Sequence, residues 1–169
     1  MRPVAIVYSS MTGTSAEYAN LLSAKTGLPA YALKDAEGKM DKKTPVLYIS
    51  WLMAGRLTDY KKAAKKLNIK GCCAACLNPM EQQSEITKKA TDIPDNVPLF
   101  MLPGAYHPQK LRGMYKWMMK LVTSILIKKI AASDNKGEAE EKMLHVLSQG
   151  GSFVQSDNLD RVIEWLQAE

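Results

Sequence analysis

The first half of the chain alternates short, continuous apolar runs with segments of ten or so residues whose apolar positions recur every third or fourth place. That is the rhythm of strands alternating with helices in a parallel sheet. Residues 3–9 (PVAIVYS) form one such run, and an apolar run without polar alternation is expected of a parallel strand covered on both faces. Residues 15–26 then place Tyr18, Leu21 and Leu22 at helical spacing, with Gly27 where a glycine would close the helix. Further strands are expected at residues 29–33, 45–50 (PVLYIS), 71–77 and 97–102 (VPLFML), and helices at 57–67 and 81–91. Residues 35–43 are polar and include Gly38, so the second crossover is expected to be short or irregular. The pattern predicts an α/β, doubly wound fold of five parallel strands with helices on both faces.

The last third adds helices to this unit. Residues 109–132 read as one long basic helix and 138–148 as another; after Gly150 and Gly151 a short apolar run leads to a final helix at 159–167, capped by Ser156 or Asp157. Residues 133–137 (SDNKG) read as a turn. No internal repeat or long linker interrupts the chain, and 169 residues suffice for one domain with a real core, so a single domain over 1–169 is expected, with a helical elaboration at about 109–150. With 46% hydrophobic and 24% charged residues the composition is globular, which excludes fibrous and disordered classes. The run at Val4 to Tyr8 is too short for a secretory signal, and the segment 121–127 is bounded by Lys120 and Lys128, too short to span a bilayer. A cytoplasmic protein is expected, with peripheral contact at the inner face of the membrane through the helix described below. Net charge is +6, and its distribution says more: no acid falls between Asn96 and Ser133, where Lys110, Arg112, Lys116, Lys120, Lys128 and Lys129 accumulate. One surface should be electropositive.

Chemistry concentrates in the loop after the first strand. Ser9, Ser10, Met11, Thr12, Gly13, Thr14 and Ser15 include five hydroxyls and a glycine between a buried strand and a helix start. Outward-pointing N–H groups at a helix N-terminus and nearby hydroxyls suit an anion. There is no G-x-G-x-x-G for a dinucleotide and no G-K-[ST] for a nucleoside triphosphate, which leaves a monophosphate held by hydroxyls and amides. Helix capping alone would account for one or two of the five hydroxyls. Two other doubly wound readings lack their chemistry: Ser50 and Trp51 stand where a response regulator needs an aspartate, and no C-x₅-R loop supports a low-molecular-weight phosphatase.

Ser10-Met11-Thr12-Gly13-Thr14-Ser15 resembles the [ST]-x-T-G-x-[ST] loop of the flavodoxin family, in the same place, after the first strand. Residues 104–121 and 152–166 look most like the flavodoxin-domain branch that includes quinone-dependent protoporphyrinogen oxidase. The resemblance implies a flavodoxin-like five-stranded parallel sheet ordered 2-1-3-4-5, with extra C-terminal helices. It also implies FMN as cofactor, its phosphate held by Ser10 to Ser15. Ligands of such a sheet bind outside the carboxyl ends of the strands. The loop after the third strand, with Trp51, Leu52, Met53, Ala54 and Gly55, would then flank the flavin ring. Trp51 is the candidate to stack on it, Met53 to cover an edge, and Trp51 as ordinary core is the alternative. Gly55 resembles the family's hinge glycine. After the fourth strand, Asn78 and backbone groups would bond the pyrimidine end of the ring; the aromatic cover common in flavodoxins is missing there, which leaves a ring face open to a substrate or partner. Tyr106 and His107 follow the fifth strand on that side, His107 reading best as a surface loop histidine.

The resemblance leaves three functions open: an electron carrier between protein partners, an FMN-dependent oxidoreductase acting on a hydrophobic substrate or quinone at a membrane, and an interaction module that has lost flavin. A redox partner protein or a quinone-like small molecule is the implied partner. Cys73-x-x-Cys76 falls within a strand, where residues three apart point to opposite faces, so Cys72, Cys73 and Cys76 are read as small core residues and no metal is expected. On the long helix, Arg112, Lys116 and Lys120 form an i, i+4, i+8 stripe, while the apolar arc spans roughly 200° against the about 100° one core contact requires. The neighbouring helix 138–148, an anionic membrane or a protein partner would cover the excess; nucleic acid fits less well, lacking interleaved aromatics on the stripe.

Overall fold

The computed structural model describes residues 1–36, 38–77, 82–132 and 137–168. In chain order the elements run β1 (Ala5–Tyr8), α1 (Thr14–Thr26), β2 (Ala30–Ala32), α2 (Leu33–Ala36), β3 (Pro45–Met53), β4 (Arg56–Leu57), α3 (Tyr60–Lys66), β5 (Asn68–Cys76), α4 (Gln82–Thr91) and β6 (Leu99–Pro103). They continue with β7 (Ala105–Tyr106), a 3₁₀ turn at Pro108–Lys110, α5 (Gly113–Ala131), α6 (Glu138–Gln149), β8 (Gly151–Ser152), a 3₁₀ turn at Ser156–Leu159 and α7 (Asp160–Ala168).

Five strands pair in parallel in the order β2-β1-β3-β5-β6, which is 2-1-3-4-5 when the parallel strands alone are counted. Register is set by the apolar runs: Ile6 lies opposite Leu47, Tyr48 opposite Cys72 and Cys73 opposite Phe100. Successive side chains leave a strand on opposite faces, and each face has its own core. Val7, Val46, Tyr48, Cys72 and Ala74 pack with Leu33 and Ala36 of α2 and Tyr60 and Ala63 of α3. Ile6, Leu47, Ile49 and Cys73 pack on the other face with Tyr18, Ala19 and Leu22 of α1 and Val162 and Leu166 of α7. This mixed α/β arrangement is compatible with a doubly wound fold. Truncating a side chain as enclosed as Leu47, which has no exposed surface, should cost about 2–5 kcal/mol. The neighbouring Cys72 and Cys73 serve opposite cores, and burial pushes both thiols upward in pKa, away from reactivity. Cys76 is only half-buried.

By its internal packing the chain forms two compact units, Met1–Gly104 with Val154–Glu169, and Ala105–Phe153. The first holds the parallel sheet and both cores. In the second, β7 and β8 pair antiparallel, Ala105 opposite Ser152 and Tyr106 opposite Gly151, and α5 packs on α6.

Several boundaries depart from the sequence expectations. Gly27 does close α1, at φ +74° with its N–H donating to Ser23 O, and the second crossover is the single turn α2. The third strand is longer than residues 45–50, running on to Met53, and the expected helix at 57–67 begins only at Tyr60 because Arg56 and Leu57 pair back on β3. The long helix starts at Gly113, not 109: Pro108 opens a 3₁₀ turn, and Leu111 and Arg112 are extended. Neither Ser156 nor Asp157 caps the last helix; both lie in the 3₁₀ turn before it, Ser156 Oγ donating to Asp157. The expected turn at 133–137 lies, but for Gly137, outside the described residues.

Candidate functional site

At the end of β1 the ladder continues for one residue, Ser9 N–H donating to Ile49 O at 3.0 Å, and the chain then leaves the sheet. Ser10 is half-buried and its hydroxyl accepts from Gly13 N–H at 3.2 Å. Met11 is exposed and Thr12 half-buried. Gly13, at φ 105°, takes a left-handed conformation that a side chain would strain, and its carbonyl accepts the first bond of α1 from Glu17 N–H. A glycine at this position cannot cap the helix with a side chain, so the first-turn N–H groups face the loop without that partner.

Thr14 and Ser15 sit inside the first turn, one residue earlier than the helix was expected to begin. They are 6% and 1% exposed, and neither hydroxyl makes a hydrogen bond among the described residues. Buried hydroxyls are ordinarily paired, since leaving one unmet costs about 1–3 kcal/mol. Here two unmet hydroxyls stand beside the positive end of a thirteen-residue helix. That chemistry fits a ligand oxygen carrying negative charge.

Trp51, Leu52 and Met53, expected in a loop, are strand residues. Leu52 pairs with Leu57 and Met53 with Arg56, and Ala54 and Gly55, at φ 49° and 76°, form a two-residue turn. Two positive φ values in succession match the twist of a tight hairpin. Gly55 is therefore a turn residue, and its Cβ would meet no atom within 4 Å, so conformation and not space selects glycine. Leu52 packs on the core beneath α2 and α3, whereas Trp51 is half-buried and stands on the same face as Leu47 and Ile49, the face that α1 covers. Since β1 and β3 are parallel neighbours, the fold brings the Ser10 to Ser15 loop and Trp51 to the same, carboxyl end of the sheet.

Asn78 lies outside the described residues. Tyr106 and His107 belong to the second compact unit. Arg56, exposed on the hairpin, adds to the larger effect of Lys61 in lowering the Asp92 carboxyl. An apolar cavity of about 290 Å³ is lined by Leu33, Ala36, Met40, Lys66 and Leu67; it belongs to the sheet face opposite α1 and shares no residue with the loop. Sequence reasoning overlooked the Tyr18 hydroxyl, which donates to Pro103 O at 2.5 Å and accepts from Asn158 Nδ2 at 2.8 Å, fixing α1 just beyond the loop. Its only sequence signal was a tyrosine on an otherwise aliphatic helix face. The chain matches no protein-family model, no curated protein and no solved structure.

Proposed function

We propose that this protein is flavodoxin-like, binds FMN noncovalently and transfers electrons, with the phosphate held by the Ser10 to Ser15 loop. The observation that carries the reading is the pair of buried, unmet hydroxyls of Thr14 and Ser15 at the start of α1. Strand order supports it, because β1 and β3 are neighbours in the middle of the sheet and their carboxyl ends are where such folds bind ligands. Bound FMN would supply the redox chemistry; the chain's part is to bind and orient. Thr12, Thr14, Ser15 and the first-turn amides would hold the phosphate, and Trp51 and the Ala54-Gly55 turn would flank the ring. A second reading, an FMN-dependent oxidoreductase acting on a hydrophobic substrate or quinone at a membrane, as protoporphyrinogen oxidase does, is favoured by the exposed apolar face of α5.

FMN titration followed by flavin fluorescence tests the proposal. A hydrogen bond to a charged group contributes about 1.5–3 kcal/mol, so Thr12→Ala/Ser15→Ala should weaken FMN binding roughly a hundredfold or more, and riboflavin should bind poorly to wild type. Ser15→Ala by itself should raise the stability of the flavin-free protein by about 1 kcal/mol while lowering FMN affinity, since it removes an unmet buried hydroxyl. Equal FMN affinity in wild type and double variant would overturn the assignment, and no binding at all would favour the flavin-free interaction module.

A further inference from the structure

On α5, Met114, Trp117, Leu121, Val122 and Ile125 are exposed at 75, 70, 52, 40 and 58%. Met114, Trp117, Leu121 and Ile125 follow one another at spacings of three, four and four, so they form a continuous stripe, with Val122 beside it. The side of α5 that carries buried Thr123 and half-buried Met119, Leu126 and Ile130 is the other one. This helix thus has two apolar faces, and contact with α6 accounts for one. An exposed stripe with a tryptophan and three long aliphatic side chains is more than scattered surface apolarity.

Charge identifies what covers it. Lys116, Lys120 and Lys128 fall on one four-residue row, continued towards the helix start by Arg112, and all four are exposed. Ser124 fills the remaining place in the row, its hydroxyl turned back to Lys120 O at 2.8 Å. The row winds along the edge of the apolar stripe and enters it at Lys128. Among the described residues of this unit the carboxylates all lie on α6, where Glu138 is paired with Lys142 at 2.7 Å. A second copy of the chain would bring a like-charged row against this one. An apolar stripe bordered by lysines, with tryptophan near one end, has the composition of a helix lying in a membrane interface: apolar side chains enter the acyl boundary while lysine ammonium groups reach the headgroups. No helix among the described residues is long and apolar enough to cross a membrane.

We infer that α5 is a membrane-docking helix, laid flat on an anionic lipid surface through Met114, Trp117, Leu121 and Ile125 with Lys116, Lys120 and Lys128 on phosphate headgroups. The inference stands apart from the flavin, and its test does not read flavin content. The full chain is mixed with phosphatidylcholine vesicles made with or without phosphatidylglycerol, and sedimentation is measured at low and high salt. Wild type should sediment with the anionic vesicles only, and salt at about 1 M should release it, because screening then reaches within about 3 Å. Lys116→Gln/Lys120→Gln/Lys128→Gln should lower partitioning about a hundredfold, from three charges each contributing about tenfold or less. Brominated lipid should quench tryptophan emission in wild type and in Trp51→Phe, and much less in Trp117→Phe. The lysine and Trp117 variants change exposed residues and Trp51→Phe a half-buried one, and circular dichroism verifies that they fold. Failure of wild type to sediment with anionic vesicles, undiminished partitioning of the triple lysine variant, or quenching that survives in Trp117→Phe would each overturn the inference. Binding to soluble polyglutamate without binding to vesicles would overturn it in favour of an acidic protein partner, and a dimer dissociated by Trp117→Glu in favour of self-association.

Discussion

Tyr18 joins three parts of the sheet unit through one hydroxyl, which donates to Pro103 O at the end of β6 and accepts from Asn158 in the turn before α7. Burial is the largest influence on its ionisation and raises the pKa from 10.0 to about 12, with the Asn158 bond acting in the opposite direction. The folded state therefore holds the phenol proton more tightly than the unfolded chain does. The stability this contributes is whole below pH 10.0 and is lost as pH rises through about 12. Tyr60 is raised to about 12 and Tyr48 is raised as well, both mainly by burial, so alkaline unfolding should be a shared response. Tyr18→Phe removes the hydroxyl that donates to Pro103 O and accepts from Asn158 Nδ2, at a cost of about 1–3 kcal/mol near neutrality. Urea unfolding across the alkaline range should show the variant weaker at neutral pH but with a shallower alkaline decline than wild type. An identical decline in both proteins would assign the alkaline loss to the other buried groups that the fold raises, Tyr48, Tyr60, Cys72 and Cys73.

Among the elements, the β3–β4 hairpin is where local strain can be read most directly. Ala54 occupies the first turn position at φ 49°, a left-handed conformation that disfavours alanine by about 1–2 kcal/mol, whereas asparagine followed by glycine is the preferred pair for such a turn. Ala54→Asn should raise the thermal midpoint, by up to about 1 kcal/mol in stability, and Gly55→Ala should lower it. Equal midpoints for Ala54→Asn and wild type would mean that the turn contributes little to the folded state. The same hairpin shows why parts of this fold were legible in the sequence and others not. β1, most of β3 and residues 71–76 of β5 are apolar runs buried on both faces, and such runs alternating with amphipathic helices point to a parallel sheet. Trp51 to Met53 simply prolong the β3 run, and Ala54-Gly55 lacks the asparagine or aspartate that announces a tight turn, so in the sequence this strand end looks like a loop. β7 and β8 have two residues each, too few for any period. Of the candidate site, Ser10 to Ser15 could be read because its chemistry is contiguous. The burial of Thr14 and Ser15 could not, because it depends on the sheet and helices that enclose them.

At the scale of the molecule, the second compact unit begins and ends at the same place. Ala105 pairs with Ser152 across β7 and β8, so the two ends of the 105–153 segment are held about 5 Å apart. All residues of the two cores come from outside that segment, and both lie in the sheet unit that resumes at Val154. A segment with adjoining ends and its own packing is an insertion in structural terms, and such segments tolerate removal when the flanking backbone can be rejoined. Joining Gly104 to Val154 through a few glycines should therefore leave a chain that unfolds in one cooperative transition. On the proposed reading this shortened protein keeps its affinity for FMN, because the Ser10 to Ser15 loop, Trp51 and the Tyr18 bonds are all retained, and it loses its affinity for anionic vesicles together with α5. Thermal melting by circular dichroism, FMN titration and vesicle sedimentation separate the cases. A shortened chain that melts without a cooperative transition would show that the sheet unit needs the helical insertion to fold, and one that still sediments with anionic vesicles would place the lipid contact on the sheet unit instead of on α5.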